Sequence, residues 1–223
     1  MQSRFRDNRN MARLLPLFPL QLVVFPGAAT PLHIFEERYR EMVGLAEAEG
    51  TEFGIVRSIT RGEESGIAST GCTVIVESVR QRYPDGRFDV ITRGRRRFRV
   101  VSLDDEKSWL RGAVEFFDDD ETEHVPGELL NRALEAHERL RREIGEQEIP
   151  SPAELTSRDL SFRLAEGIDD LDFRSMMLQS RSEPQRLQLF AEFVTGYIPR
   201  RQYVAHMKTK APTNGSGHKG PGL

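Results

Sequence analysis

The amino-acid sequence predicts an α+β protein, with a β-rich half followed by a helical half, and three observations carry that prediction. Up to about residue 117, apolar residues alternate with polar ones in short runs, as half-buried strands do. Beyond Pro126 they recur instead at intervals of three and four. Between the two regimes lies the acidic stretch 118–123, which holds no apolar residue and marks a boundary or an exposed loop. Strands grouped before helices read as α+β rather than as alternating α/β.

Each element has its own signal. Leu20, Leu22 and Val24 share one parity, as on a strand. Phe35, Tyr39, Met42, Val43 and Ala46 fall on a single helical face, and Gly50 supplies a natural stop. Residues 52–57 alternate again. Residues 73–82 and 87–93 are β-rich and flank Pro84-Asp85-Gly86, where Pro presets a turn and Gly supplies the positive φ. That is the clearest hairpin in the chain. Residues 96–103 and 109–117 continue the pattern and end in Val114, Phe116 and Phe117. Short strands separated by turns predict a small twisted or barrel-like sheet.

The helical half opens at Pro126, after which Leu130, Leu134, His137, Leu140 and Ile144 keep helical spacing. Ser151-Pro152-Ala153-Glu154 reads as a capping box, and Thr156 with Asp159 caps a short helix through Leu164 and Ala165. Ser182-Glu183-Pro184-Gln185 repeats the box ahead of Leu187, Phe190, Ala191, Val194 and Ile198. From Lys208 onward there is no periodicity. The expected layout is a disordered extension over 1–10, a β-rich subdomain over 11–120, a helical subdomain over 121–207 and a disordered tail over 208–223.

Composition narrows the function. The 223 residues include 30% charged side chains with a net charge of -3, so no global basic excess calls for nucleic acid or an anionic membrane. A single cysteine, Cys72, excludes an internal disulfide and fits a reducing cytoplasm. Arg4, Arg6, Arg9 and Arg13 ahead of the apolar run 14–25 imitate a secretory signal, but Pro16 and Pro19 break the helix one needs.

No cofactor or metal is expected. The five histidines form no close ligand pair, and one cysteine builds no thiolate cage. Cys72 opens an apolar strand, where a buried inert thiol is the default. The acids 118–120 are unspaced and read as solvated rather than cation-binding. Arg93, Arg95, Arg97 and Arg99 alternate, which places all four on one face of a strand, opposite Phe98 and Val100. Such a stripe would suit RNA. Yet the acidic runs 104–106 and 118–120 offer internal partners, so a salt-bridged face is the expectation. Changing Arg95 and Arg97 together to Gln would then cost little. Phe25-Pro26-Gly27 reads first as strand punctuation. Glu36 and Arg38 read as a helix-start carboxylate and an ion pair. Met176, Met177, Phe190 and Phe193 are expected mainly in the core.

Residues 14–27, Leu-Leu-Pro-Leu-Phe-Pro-Leu-Gln-Leu-Val-Val-Phe-Pro-Gly, lead into Pro31-Leu32-His33-Ile34-Phe35-Glu36-Glu37-Arg38-Tyr39 and then Met42. In the same order come Gly71-Cys72-Thr73, Asp85-Gly86-Arg87, Gly94-Arg95-Arg96-Arg97-Phe98-Arg99-Val100, Leu160-Ser161-Phe162-Arg163-Leu164-Ala165 and Pro184-Gln185-Arg186-Leu187. Together these blocks resemble the N-terminal, substrate-binding domain family of Lon proteases, in particular its stand-alone bacterial members, over roughly residues 13–206. The resemblance implies a PUA-like pseudo-barrel followed by a helical bundle. It implies binding of unfolded or tagged polypeptides, as an adaptor or holdase-like factor, in company with a separate ATP-dependent protease. It places Phe25, Pro26, Gly27, Arg38 and Tyr39 in a candidate polypeptide-binding surface. The family's phosphate-binding loop and serine–lysine site have no counterpart in the sequence, so a non-catalytic role is expected. The alternative is a PUA-like RNA binder using the Arg93–Arg99 strand.

Overall fold

The computed structural model describes residues 14–62, 64–120, 124–144 and 159–210. Among them run β1 (Leu15–Leu20), β2 (Ala29–Ile34), α1 (Glu37–Glu49), β3 (Phe53–Arg61), β4 (Glu64–Arg82), β5 (Phe88–Asp104) and β6 (Arg111–Phe116). Four helices follow: α2 (Gly127–Ile144), α3 (Leu160–Leu164), α4 (Leu171–Gln179) and α5 (Glu183–Lys210). The α+β class is therefore as the periodicity predicts. The capping box at Ser151, the Thr156 cap, residues 1–10 and residues 211–223 lie outside the described residues.

The sheet order is β2-β5-β4-β3-β1-β6, and β6 also pairs with β5, which closes the last five strands into a barrel. Strand β5 makes this possible by changing partner. Its first part pairs with β2 from Phe88 to Arg93, and its second part pairs with β6 from Phe98 to Asp104. Residues 96–103, expected as a separate strand, are thus the second half of one 17-residue strand. A bulge joins the halves, since Cys72 of β4 faces Arg97 while Val74 faces Gly94. Gly94 is required there: a Cβ would run into the Phe25 carbonyl.

The predicted hairpin at Pro84-Asp85-Gly86 joins β4 to β5. Tyr83 N–H donates to the Arg87 carbonyl at 2.8 Å, and Gly86 N–H donates to the Tyr83 carbonyl at 3.0 Å. Gly86 takes φ +86°, the left-handed conformation the turn needs.

Two clusters of buried side chains result. The smaller fills the barrel with Leu17, Val56 and Phe98, bordered by Val100 and Val114. Phe98 has room because glycine faces it twice: a Cβ on Gly54 or Gly71 would lie 2.6 Å from its ring tip. The larger cluster runs from the outer sheet face (Phe25, Ile34, Phe53, Val74) through α1 into the helices at Leu140, Phe162, Phe173 and Phe190. The β-rich and helical stretches therefore share one core.

Four local expectations need correction. Phe35 is not on the apolar face of α1: the helix begins at Glu37, with Glu36 still extended, and the Phe35 side chain is 59% exposed. Strand β2 runs to Ile34, which leaves no turn of helix for Phe35 to join. Residues 53–56 do not alternate but are all buried, because Phe53 and Ile55 face the helices while Val56 faces the barrel interior. Strand β1 ends at Leu20, so the Leu22 and Val24 parity is lost, and Val23, Val24 and Phe25 are buried together. Finally, α5 continues past Lys208 to Lys210, because extending an existing helix is far easier than starting one.

Candidate functional site

The turn 23–27 is fixed from the helical half. Arg174 of α4 donates to the Val23 carbonyl through Nε (3.1 Å) and Nη2 (2.9 Å), and its Nη1 donates to the Ile168 carbonyl at 3.0 Å. The same guanidinium lies 4.2 Å above the Phe25 ring, which stacks on Phe162 of α3 at 5.0 Å. Phe25 is fully buried. Its ring packs the β-rich stretch against α3 and meets no solvent, so a polypeptide would reach it only by opening the core. Gly27 is exposed: its N–H donates to the Gly94 carbonyl at 3.0 Å and its carbonyl accepts from Arg93 Nη1 at 2.9 Å. Tyr39 is buried against Phe18 with ring centroids 4.1 Å apart, whereas Arg38 stays at the surface, holding Glu36 at 2.8 Å. Of the five candidate residues, Gly27 and Arg38 are exposed and Pro26 is partly so. Between them in sequence lies β2.

The arginine stripe does not survive folding as one face. The bulge after Gly94 puts an extra residue into β5 and turns Arg97 inward, leaving it 5% exposed. Arg97 donates to Asp119 Oδ1 (2.5 Å) and to the Ser180 carbonyl (2.5 Å). Arg186 of α5, fully buried, grips the same carboxylate with Nη1 on Oδ1 and Nη2 on Oδ2, each at 2.6 Å. Both guanidinium groups lie over Phe162, at 5.4 and 4.5 Å. Glu183 completes the cluster. It accepts from Arg186 at 2.5 Å and caps the start of α3 through Ser161 N–H (2.8 Å) and Oγ (2.7 Å). Burial opposes ionisation of Asp119, yet Arg186 and Arg97 together hold its carboxyl below the usual range.

The expectation that the acidic run partners the arginines therefore holds for Asp119. The expectation of an exposed, inexpensive pair does not. Arg93 is engaged by Glu77 at 2.9 Å, and only Arg95 and Arg99 of the four remain exposed without an ion pair among the described residues. This removes two of four cations from the phosphate-binding alternative. Asp159, the expected cap of α3, makes no capping hydrogen bond, and burial raises its pKa.

Cys72 is fully buried, and that burial pushes its thiol up to about 12, so it carries no nucleophile at neutral pH. Met177 and Phe190 are core residues, while Met176 is 48% exposed. No helix among the described residues is long and apolar enough to cross a membrane.

Comparison with known proteins gives a consistent result. Residues 14–208 match the ATP-dependent protease La (LON) substrate-binding domain. Among curated proteins, Lon protease 1 of Hydrogenovibrio crunogenus is 27% identical over 117 residues, or 51% of this chain and 14% of that protein. Lon protease of Porphyromonas gingivalis is 25% identical over 133 residues, 57% of this chain and 15% of that protein. The chain thus spans about one seventh of the length of these relatives. A solved Lon N-terminal domain protein from Xanthomonas campestris superposes with a TM-score of 0.61 at 28% identity, covering 78% of this chain and 95% of that one. The sequence blocks, the closed barrel with its helical half and these likenesses agree, and the chain belongs to the Lon substrate-binding domain family.

Proposed function

We propose that this chain is a non-catalytic polypeptide-recognition module. It captures unfolded or tagged polypeptides in the cytoplasm, as an adaptor or holdase-like factor, in company with a separate ATP-dependent protease. One observation carries the reading: the substrate-binding family matches residues 14–208, and so spans the described fold. Exposed apolar side chains lend support, since a chain-capturing surface needs apolar area outside the core; Phe35, Leu103, Phe116 and Tyr203 provide it.

The test is calorimetric. A reduced, destabilised test protein should bind more tightly than its folded form, with a negative heat-capacity change and weak dependence on salt. Equal affinity for both forms, or no binding near millimolar concentration, where the binding free energy is only about -4 kcal/mol, would refute capture. A steep loss of binding with salt, seen with RNA instead, would shift the reading to nucleic acid. The purified chain is expected to hydrolyse no ATP and to leave casein intact.

A further inference from the structure

We propose that the free edge of β2 is where a captured polypeptide docks, adding as an extended, uncharged strand. This rests on the reading above and gives it a place and a mode. Strand β2 pairs with β5 on one side, and no described residue pairs with the other. The direction of each backbone group follows from the start of the ladder. Gly94 N–H donates to the Ala28 carbonyl at 3.0 Å, so Thr30, Leu32 and Ile34, in step with that carbonyl, turn their main chain toward β5. Ala29, Pro31 and His33 therefore turn theirs outward. Ala29 and His33 each offer an N–H and a C=O, whereas Pro31 offers a carbonyl alone. Only another extended backbone complements such a row.

The side chains beside the edge favour an apolar occupant. Leu32 and Ile34 point into the core, and Pro31 and His33 point out, in line with Phe35. The His33 ring stacks on Phe35 at 6.0 Å and meets Tyr83 edge-on at 5.8 Å. Asp89 holds this group in place, contacting His33 Nδ1 at 2.5 Å and accepting from Tyr83 Oη at 2.7 Å. The bordering cations are already matched: Arg38 by Glu36, Arg87 by Asp85 and Arg93 by Glu77. With these charges balanced internally, nothing in the set selects an anion. An uncharged, apolar segment fits, and a polyanion does not. Pro31 explains how the protein tolerates an open edge: it deletes the middle donor and so weakens pairing of two copies edge to edge.

The experiment is residue-resolved amide exchange on the whole chain, alone and with a reduced, carboxymethylated test protein. The Ala29 and His33 amides should slow at least tenfold on binding, while Thr30, Leu32 and Ile34 are already protected. A ten-residue apolar peptide should show the same pattern and lose about tenfold in affinity when alternate amides are N-methylated. Phe35→Ser should weaken binding of the peptide by a similar factor. Binding of the test protein with unchanged exchange at Ala29 and His33 would overturn strand addition and leave polypeptide recognition intact. Absence of any binding would overturn both.

Discussion

At the seam between barrel and helices, one carboxylate is held by two guanidinium groups, one fully buried and the other nearly so, and each of these three charges has a geometric partner. Along the free edge of β2, a row of backbone groups meets no partner among the described residues, and the flanking His33 and Phe35 rings are exposed. The seam is over-determined: Asp119 joins β5 to α5, Glu183 joins α5 to α3, and Phe162 lies beneath both arginines. The edge is under-determined: Ala29 and His33 turn backbone groups outward, and Pro31 between them offers no donor. Such a contrast separates residues that hold a fold together from backbone groups left unpaired. Residue type alone does not make the distinction, because the arginine-rich strand that looks most like a binding surface contributes to the seam.

The sharpest way to break this comparison is at Arg186. Arg186→Ala leaves Asp119 and Glu183 in a half-dry pocket without their main cation, and removal of one member of a buried pair costs about 3–5 kcal/mol. Denaturant unfolding would read that loss; a change below about 1 kcal/mol would mean the seam is not what fastens the two halves. A smaller effect is expected at Arg97. Arg97→Gln keeps Arg186 on Asp119 but abandons the Ser180 carbonyl, for roughly 1–3 kcal/mol. Arg95→Gln is the control on the same strand and should shift the unfolding midpoint by nothing measurable, since the side chain is exposed and unpaired among the described residues. Equal effects at the two positions would contradict the bulge that sorts them.

The smallest expected effect is on the pH dependence. Asp119 has a lowered pKa in the folded protein, so the unfolded chain binds more protons at mildly acidic pH. Its stabilisation is complete above the ordinary carboxylate range near pH 4 and disappears as pH falls through the lower folded value. Asp159 has the opposite sign. Its raised pKa means ionisation is resisted when folded, so it weakens the fold above the ordinary range. Asp159→Asn should therefore raise the melting temperature slightly at neutral pH and leave it unchanged near pH 3. A melting temperature lowered at neutral pH would show that the carboxylate does structural work after all.

The residues that announced themselves did so through local chemistry. Pro84-Asp85-Gly86 can hardly be other than a turn, and Ser182 does cap the start of α5, its Oγ accepting from Gln185 N–H at 3.3 Å. Gly50 ends α1 where the periodicity stops. Helical spacing misplaces Phe35 because it does not reveal where a preceding strand lets go. The site was harder to read for a different reason. Phe25 and Tyr39 belong to the signature but lie in the core, while β2, between them, is absent from the strands that alternation predicts.

The sequence by itself determined the α+β class, the hairpin, the helical half and the family, because each depends on periodicity, turn residues or ordered motifs close together along the chain. Only the tertiary structure decided which arginine is buried, which strand has a free edge, and that one acid between the halves joins them. Those facts turn on a bulge opposite Thr73, on the change of partner along β5 and on packing between residues far apart in sequence. A one-residue slip in pairing moves a side chain to the other face of a sheet, and nothing in the local pattern of Arg93 to Arg99 records where that slip falls.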